Sequence, residues 1–497
     1  MVTFSRFVTL SVSLSWRVLL LQGHNSLGGG TDPANEFTQG PQWWRQGDGV
    51  NKWALLSQGF ENFNSTSMAG PLAADGSFIY TQPAMAHPPR KGDKVTAIVR
   101  QGYTVLVHNS SRCVVENITL YAASFMAVTE FDGKGSNRYS DLRVVRRNVT
   151  SASQLCATTR KQPGHLRSPA SAGGRLCLGM VASNADIFHS SGVQRGPTLE
   201  RCEFTVAMDD YLNIHSRAQL LVSRRASGPS TELLILDGRL TRDRGMHDDF
   251  PYGTVETMPN AAVGDELSFF SPAQGTLKKL GTAKITAVRR TADAGQITQA
   301  KAAVAKANAG PNSTKAYPAL MAVDVTAGKG GPSRVWVVTV EGLLPPSIVP
   351  GSMINLDGWD ARGAILRDSW FHVRSPGSDI LSIRRAARLT NPKVLLLFLQ
   401  GVEDGIRWKS SHGLIENLRW DRPLTALSGK TGLEITPISN FYEGPFEISN
   451  VTIRGNTFTG LQPSQASELI TVCKGFPHDY NYTGCSDIRQ TGNKYRP

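Results

Sequence analysis

Asp186, Asp209 and Asp210 are the residues whose types and spacing best suit chemistry. They lie in "NADIFHSSGVQRGPTLERCEFTVAMDDYLNIHS" (184–216), with His189 and His215 close by in the chain. A lone aspartate is commonly a turn or capping residue. Here one acid precedes an adjacent pair by 209 − 186 = 23 residues, a distance that a repeating fold can collapse into a near contact. Carboxylates held close together cannot all ionise freely, because their repulsion raises the proton affinity of at least one and divides them into an acid and a base. Glycoside hydrolysis uses such a division: one carboxylic acid protonates the leaving oxygen while another carboxylate activates water or attacks the sugar.

A fold that brings the chain back every 23 or so residues would place these acids together. Strand-like phrases recur at "CVVENITLYAA" (113), "YSDLRVVRR" (139), "LERCEFTVA" (199), "AILRDSWFHV" (364), "GLIENLRWD" (413) and "ISNVTIRGNTF" (448). Each alternates β-branched or large apolar residues with polar ones around a turn-like centre. From Asn117 to Asp141 the step is 141 − 117 = 24 residues, the length of one coil of a right-handed parallel β-helix, in which equivalent positions stack about 4.8 Å apart. The expectation is that Asp186 and Asp209 face one groove from adjacent rungs, with Asp210 reaching it from the side.

The fold class expected is all-β: a right-handed parallel β-helix carrying an inserted small antiparallel β-barrel or sandwich. The expected divisions are an N-terminal segment (1–45), a first part of the β-helix with the acidic site (46–244), the inserted β domain (245–360), and the remaining coils with a C-terminal cap (361–497). Within the insertion, a mobile basic loop is expected near 290–317. Residues 378–405 read as a helix or a loose insertion.

The chain has 53 Lys and Arg against 40 Asp and Glu, a net charge of +13. Much of the basic charge falls in 143–168, 288–310 and 382–393, and reads as solvated insertions. A nucleic-acid groove would interleave basic and aromatic residues or use a recognisable module, and neither is present. No segment has the roughly 20 uninterrupted apolar residues of a membrane span. The N-terminus resembles a signal peptide in outline, although Arg17 breaks its apolar stretch, so a secreted or lumenal protein is expected. Several Asn-x-Ser/Thr triplets, among them Asn64, Asn109, Asn148, Asn312 and Asn481, then become glycosylation acceptors. The six cysteines form no CxxC pair, and no metal or cofactor is expected. Cys156 with Cys177, and Cys473 with Cys485, are each either a disulfide or two buried thiols.

The Asn-x-Asp at 184–186 followed by Asp-Asp at 209–210 resembles the motifs of β-helical glycosidases of the polygalacturonase type. The wider phrase "DIFHSSGVQRGPTLERCEF…MDDYLNIHS", the inserted β domain and "NFYEGPFEISNVTIRGNTF" (440–458) are closer to the α-1,3-galactosidases of glycoside hydrolase family 110. This resemblance implies an inverting reaction at the non-reducing end of a glycan, with Asp209 as general acid and Asp186 with Asp210 holding and deprotonating the water. Ala185 and Ile187 depart from the pattern around the first acid, and neither a Gly-His-Gly nor an Arg-Ile-Lys motif follows, which argues against a galacturonan substrate.

Around the acids, His189 and His215 are expected to bind sugar hydroxyls or to be packed turn residues. Tyr211 either stacks on a sugar or fills a coil. Glu130 lies one coil earlier and is expected to line the same groove. Tyr442 and Glu443 lie farther along it or in a cap. Arg407 and Lys409 contact substrate oxygens or are solvated. The partner expected is an oligo- or polysaccharide, and the protein itself a monomer or homodimer. Two other functions compete: a calcium-dependent polysaccharide lyase and a non-catalytic glycan-binding protein.

Overall fold

The computed structural model describes residues 103–145, 182–237, 258–271, 278–309, 333–372, 405–421, 432–437, 446–459, 469–473 and 484–496, apart from 122, 124–125, 184–185, 206 and 208–209. It also describes the backbone of isolated strands at 2–3, 19–22, 42–46, 53–57, 68–69, 79–80, 94–96, 148–149, 177–178 and 443–444.

The strands fall into three parallel sheets that the chain visits in rotation. The first sheet takes Val114–Glu116, Arg138–Ser140, Thr198–Glu200, Ile365–Arg367, Leu414–Glu416, Ile448–Arg454 and Cys485–Thr491. The second takes the strand that follows each of these, from Ile118–Tyr121 to Lys494–Arg496. The third takes Val105–His108, Val128–Phe131, Phe188–Ser191, Leu212–Arg217, Ile406–Trp408, Leu433–Ile435 and Ile470–Val472. Three parallel sheets stacked in this way are compatible with a parallel β-helix.

The repeating phrases have a backbone cause. Between the first and second sheets each coil turns on one residue with positive φ: Asn117 (57°), Asp141 (55°), Arg201 (54°), Asp368 (53°), Asn417 (54°), Gly455 (66°) and Gly492 (63°). The left-handed region is tolerated best by Gly, Asn and Asp, which is why a short polar or small residue stands at six of these seven turns, Arg201 being the exception. From Asn117 to Gly455, the N–H of each turn residue bonds the carbonyl of the next rung, as from Asn117 to Ser140 (3.1 Å) and from Asp141 to Glu200 (3.1 Å).

Side chains pointing inward from the three sheets fill the coil. Val128, Phe188, Leu212, Ile406 and Leu433 come from the third sheet, Tyr139, Leu199 and Ile415 from the first, and Phe204, Phe371, Trp420 and Phe458 from the second. The last four form an aromatic ladder with successive centroids 5.5, 5.4 and 6.0 Å apart. On the outside, Glu200 accepts hydrogen bonds from Arg367 and Arg138 on the two neighbouring rungs, which hold its carboxyl down to about 2.

Six antiparallel strands, Gln219–Ser227, Ser230–Leu236, Glu266–Ser271, Lys278–Arg290, Val335–Glu341 and Met353–Leu356, close into a barrel. The first two precede residue 245. Against the expectation of a mobile loop near 290–317, Ala294–Ala309 is an α-helix. Its Ala-, Lys- and Gln-rich composition favours helix, and the Asp293 carboxylate caps it by accepting from the Gln296 N–H at 2.8 Å. Ile297, Ala300 and Ala303 of the helix pack with Leu220, Leu236, Val335 and Val337 of the barrel strands.

Cys473 and Cys485 form a disulfide, whereas Cys113 and Cys202 do not. Cys156 and the side chain of Cys177 lie outside the described residues. Among the described residues, no helix is long and apolar enough to cross a membrane.

Candidate functional site

The site grows from the third sheet. Residues of its strands alternate between the coil interior and the outer face. Phe188, Leu212, Ile214, Ile406 and Trp408 go inward; His189, Ser191, Asn213, His215, Arg407 and Glu434 occupy the intervening positions. Register stacks these into two ladders. Thr129, His189, Asn213, Arg407 and Glu434 follow one another in the first, and Phe131, Ser191 and His215 in the second.

The register also fixes the acids. Phe188 pairs with Leu212 and Ser191 with His215, a step of 212 − 188 = 24 residues. The residue one rung from Asp186 is therefore Asp210, not Asp209, and the Ile187 N–H bonds the Asp210 carbonyl at 3.0 Å. The expected pairing of Asp186 with Asp209 fails by one residue, because the coil step is the 24 of Asn117 and Asp141 and not 23. The Asp209 side chain lies outside the described residues.

Asp186 and Asp210 are both buried, 3% and 1% exposed. Asp186 Oδ2 meets His189 Nδ1 at 2.5 Å, and His189 Nε2 meets His215 Nε2 at 3.1 Å. His215 Nδ1 donates to the Ser216 carbonyl at 2.6 Å. Asp210 Oδ2 lies 3.6 Å from Arg407 Nη1, and Arg407 Nε lies 3.8 Å from Glu434 Oε2. Lys409 is fully enclosed and donates to Asn213 Oδ1 at 2.7 Å. Arg217, also buried, donates to the Ser191 hydroxyl (2.9 Å), the Ser191 carbonyl (2.9 Å) and Asp132 (3.0 Å). Ion pairs this enclosed are expensive to desolvate and are weak devices for stability alone. A dense group of them on the outer side of a sheet is the kind of arrangement found at functional sites.

The structure thus brings Asp186, Asp210, His189, His215 and Arg407 together. Asp132, Ser191, Asn213, Arg217 and Glu434 join them without having been singled out in the sequence. Asn213 and His215 stand one 24-residue step from His189 and Ser191, a signal that the register contained. The strand Glu443–Gly444 pairs antiparallel with Ser216–Arg217, so its backbone borders the cluster. The Glu443 side chain and Tyr442 lie outside the described residues.

Two expectations are corrected. Glu130 does not line the outer face. It alternates in phase with Val128 and points into the coil, where it accepts from Tyr139 OH (2.7 Å), Asn137 Nδ2 (3.1 Å) and Ser190 Oγ (2.9 Å). Desolvation by burial raises its pKa, against these three hydrogen bonds, and the same enclosure raises that of Tyr139. Tyr211 offers no face to a sugar: it is 2% exposed and packs edge-on against Phe371 (5.5 Å) and Trp420 (6.0 Å).

The Glu130 result carries a pH dependence. The folded state holds the proton at pH values where the unfolded chain, with a value of about 4.3, has lost it. The stability this group contributes is therefore complete below about pH 4.3 and is lost as pH rises through the raised folded value. Glu130→Gln keeps an acceptor for Tyr139 and removes the titration. Urea unfolding from pH 4 to 8 is expected to show the variant gaining on the parent as pH rises; parallel curves would refute this.

The sequence matches no protein-family model and no curated protein. Among the described residues, no group of three or more His, Cys, Asp or Glu is arranged to hold a metal ion.

Proposed function

We propose that this protein is a glycoside hydrolase of the right-handed parallel β-helix type, with the barrel as an inserted domain. It acts, in a secreted or lumenal setting, on non-reducing α-galactosyl or related residues of an oligo- or polysaccharide. The observation that carries the reading is the register of Asp186 and Asp210 on adjacent rungs, among buried histidines and Arg407 on the outer side of one sheet. Adjacent rungs lie about 4.8 Å apart, shorter than the roughly 6.5–9.5 Å that separates acid from base in an inverting enzyme. Asp186 and Asp210 are therefore the pair that shares the attacking water, and Asp209, the remaining carboxylate of the motif, is the acid that protonates the leaving oxygen. This division agrees with the one implied by the resemblance to the family 110 galactosidases.

The test is a panel of aryl α- and β-galactosides and uronate polymers, assayed with and without chelator. Release of galactose from the α-galactoside, indifferent to chelator, is the expected result. An unsaturated product that needs Ca²⁺ would replace the proposal with a lyase, and binding without turnover would replace it with a glycan-binding protein.

A further inference from the structure

We infer that Asp186, His189 and His215 form one proton-holding unit that carries three hydrogens and no net charge, with the two histidines positioning Asp186. The purpose assigned to the unit rests on the hydrolase reading; its hydrogen count does not.

The count follows from three contacts. The Ser216 carbonyl can only accept, so His215 Nδ1, 2.6 Å away, carries a hydrogen. The two Nε2 atoms are 3.1 Å apart. Two bare nitrogens there would oppose lone pairs and two protonated ones would oppose hydrogens, so this contact holds one hydrogen. The contact of Asp186 Oδ2 with His189 Nδ1 at 2.5 Å holds one as well, on either atom. A carboxylate with two neutral imidazoles has only two hydrogens and a charge of −1. The third hydrogen brings the unit to zero.

That third hydrogen has three homes. It sits on Asp186, with both rings neutral; on His189, as an imidazolium against the carboxylate; or, after a shift across the Nε2 contact, on His215. Each move crosses an existing hydrogen bond and leaves all three contacts filled. A fourth hydrogen, or the loss of the third, leaves one contact doubly filled or empty, so the unit holds together only within a band of pH. The charged and titratable groups around it make contacts of their own: Lys409 donates to Asn213 Oδ1 at 2.7 Å, and His108 Nε2 lies 3.4 Å from Asp132 Oδ2. Arg217, which reaches His215 through the Ser191 hydroxyl (3.5 Å from Nδ1), is paired with Asp132. On the next rung Asp210 lies against Arg407, and Arg407 against Glu434. Phe131 closes the side of His189 edge-on at 5.8 Å. The unit keeps the Asp186 carboxylate fixed beside Asp210 while its proton rests on the rings.

The test is ring-¹⁵N NMR of the full chain labelled at histidine, from pH 4 to 9, with His189→Gln and His215→Asn for assignment and thermal melts to confirm that each variant folds. Across a plateau of at least about two pH units, His215 Nδ1 is expected to be protonated, with one hydrogen shared between His189 Nδ1 and Asp186 and another between the two Nε2 atoms. His215→Asn keeps a donor for the Ser216 carbonyl but breaks the Nε2 contact; His189 should then titrate alone, its midpoint shifted by one pH unit or more. Independent titration of the two rings in the parent protein, or a His215 bearing hydrogen on Nε2 alone, overturns the unit. With α-galactoside as substrate, His215→Asn should lower kcat about 10- to 100-fold, the cost of a slightly misplaced reacting group, and narrow the pH profile while KM stays within about twofold. An unchanged profile overturns the positioning role. The NMR pattern without turnover by the parent would overturn the hydrolase reading and leave the unit standing.

Discussion

Asp210→Asn is expected to lower kcat/KM for an aryl α-galactoside by about 10³-fold or more, within the usual range for loss of a general base and equivalent to about 4 kcal/mol of transition-state stabilisation. The change is small in every other respect. Asn has the size of Asp, and the bond from the Ile187 N–H to the residue 210 carbonyl survives because it is made by backbone. Arg407 keeps its contact with Glu434, so no buried guanidinium is left without an acid. The thermal midpoint should therefore move little while activity falls. Asp141→Asn is the matched control. Asp141 stands at a positive-φ turn that Asn also tolerates, and its carboxylate pairs with the half-exposed Arg201, away from the third sheet. Its activity should equal that of the parent. Full activity in Asp210→Asn, with Asp141→Asn also active, would remove Asp210 from the chemistry and the proposed water-holding pair with it.

The coils were readable because one conformational constraint is written into each of them. A residue that must adopt positive φ tends to be Asn, Asp or Gly, and Asn117, Asp141, Asp368 and Asn417 mark the turns between the first two sheets in the sequence itself. The cluster of Asp186, His189 and His215 was readable for the same reason, since one coil separates Ser191 from His215.

What stayed hidden depends on phase and on distance along the chain. An acidic doublet shows that a carboxylate is present without showing which of two adjacent residues is in register, and a single residue of error moves Asp209 into the place that Asp210 holds. Glu130 has the same ambiguity between faces: alternation told that the strand had an inside, but Val128 and Phe131 are both apolar and gave no sign of which parity was buried. Arg407 meets Asp210 across 407 − 210 = 197 residues of chain, in which the barrel strands and the sheet strands Ile365–Arg367 and Trp370–His372 intervene with no periodicity to count. The helix Ala294–Ala309 reads as a loop in the sequence because its face toward the barrel is built of Ala300 and Ala303 around a single Ile297. So thin an apolar stripe is hard to distinguish from solvated charge.

Trp420→Ala is expected to cost about 3–5 kcal/mol of stability, the range for deleting a large buried aromatic. Trp420 is 2% exposed, lies between Phe371 and Phe458 in the aromatic ladder and meets Tyr211 edge-on. The space it fills cannot close by collapse of the backbone, because the strands on either side are held at the fixed spacing of a parallel sheet: Trp420 pairs in register with Phe371 below and Phe458 above. The cavity should therefore persist and the full penalty be felt, whereas Trp420→Phe, which keeps a ring in the ladder, should lose much less. In a stacked repeat, stability is passed between neighbouring rungs, so the damage should spread along the ladder instead of staying at one residue. Tyr211 ties that ladder to the site, since its ring rests on Trp420 and its backbone adjoins Asp210. Denaturant unfolding by circular dichroism should show the shifted midpoint, and hydrogen exchange should show faster exchange at the amides of Tyr211 and Phe371 than at those of the barrel strands. A loss below about 1 kcal/mol, or faster exchange confined to residue 420, would mean that the coil interior repacks freely and that the acids on its outer face are not held by the aromatic ladder beneath them.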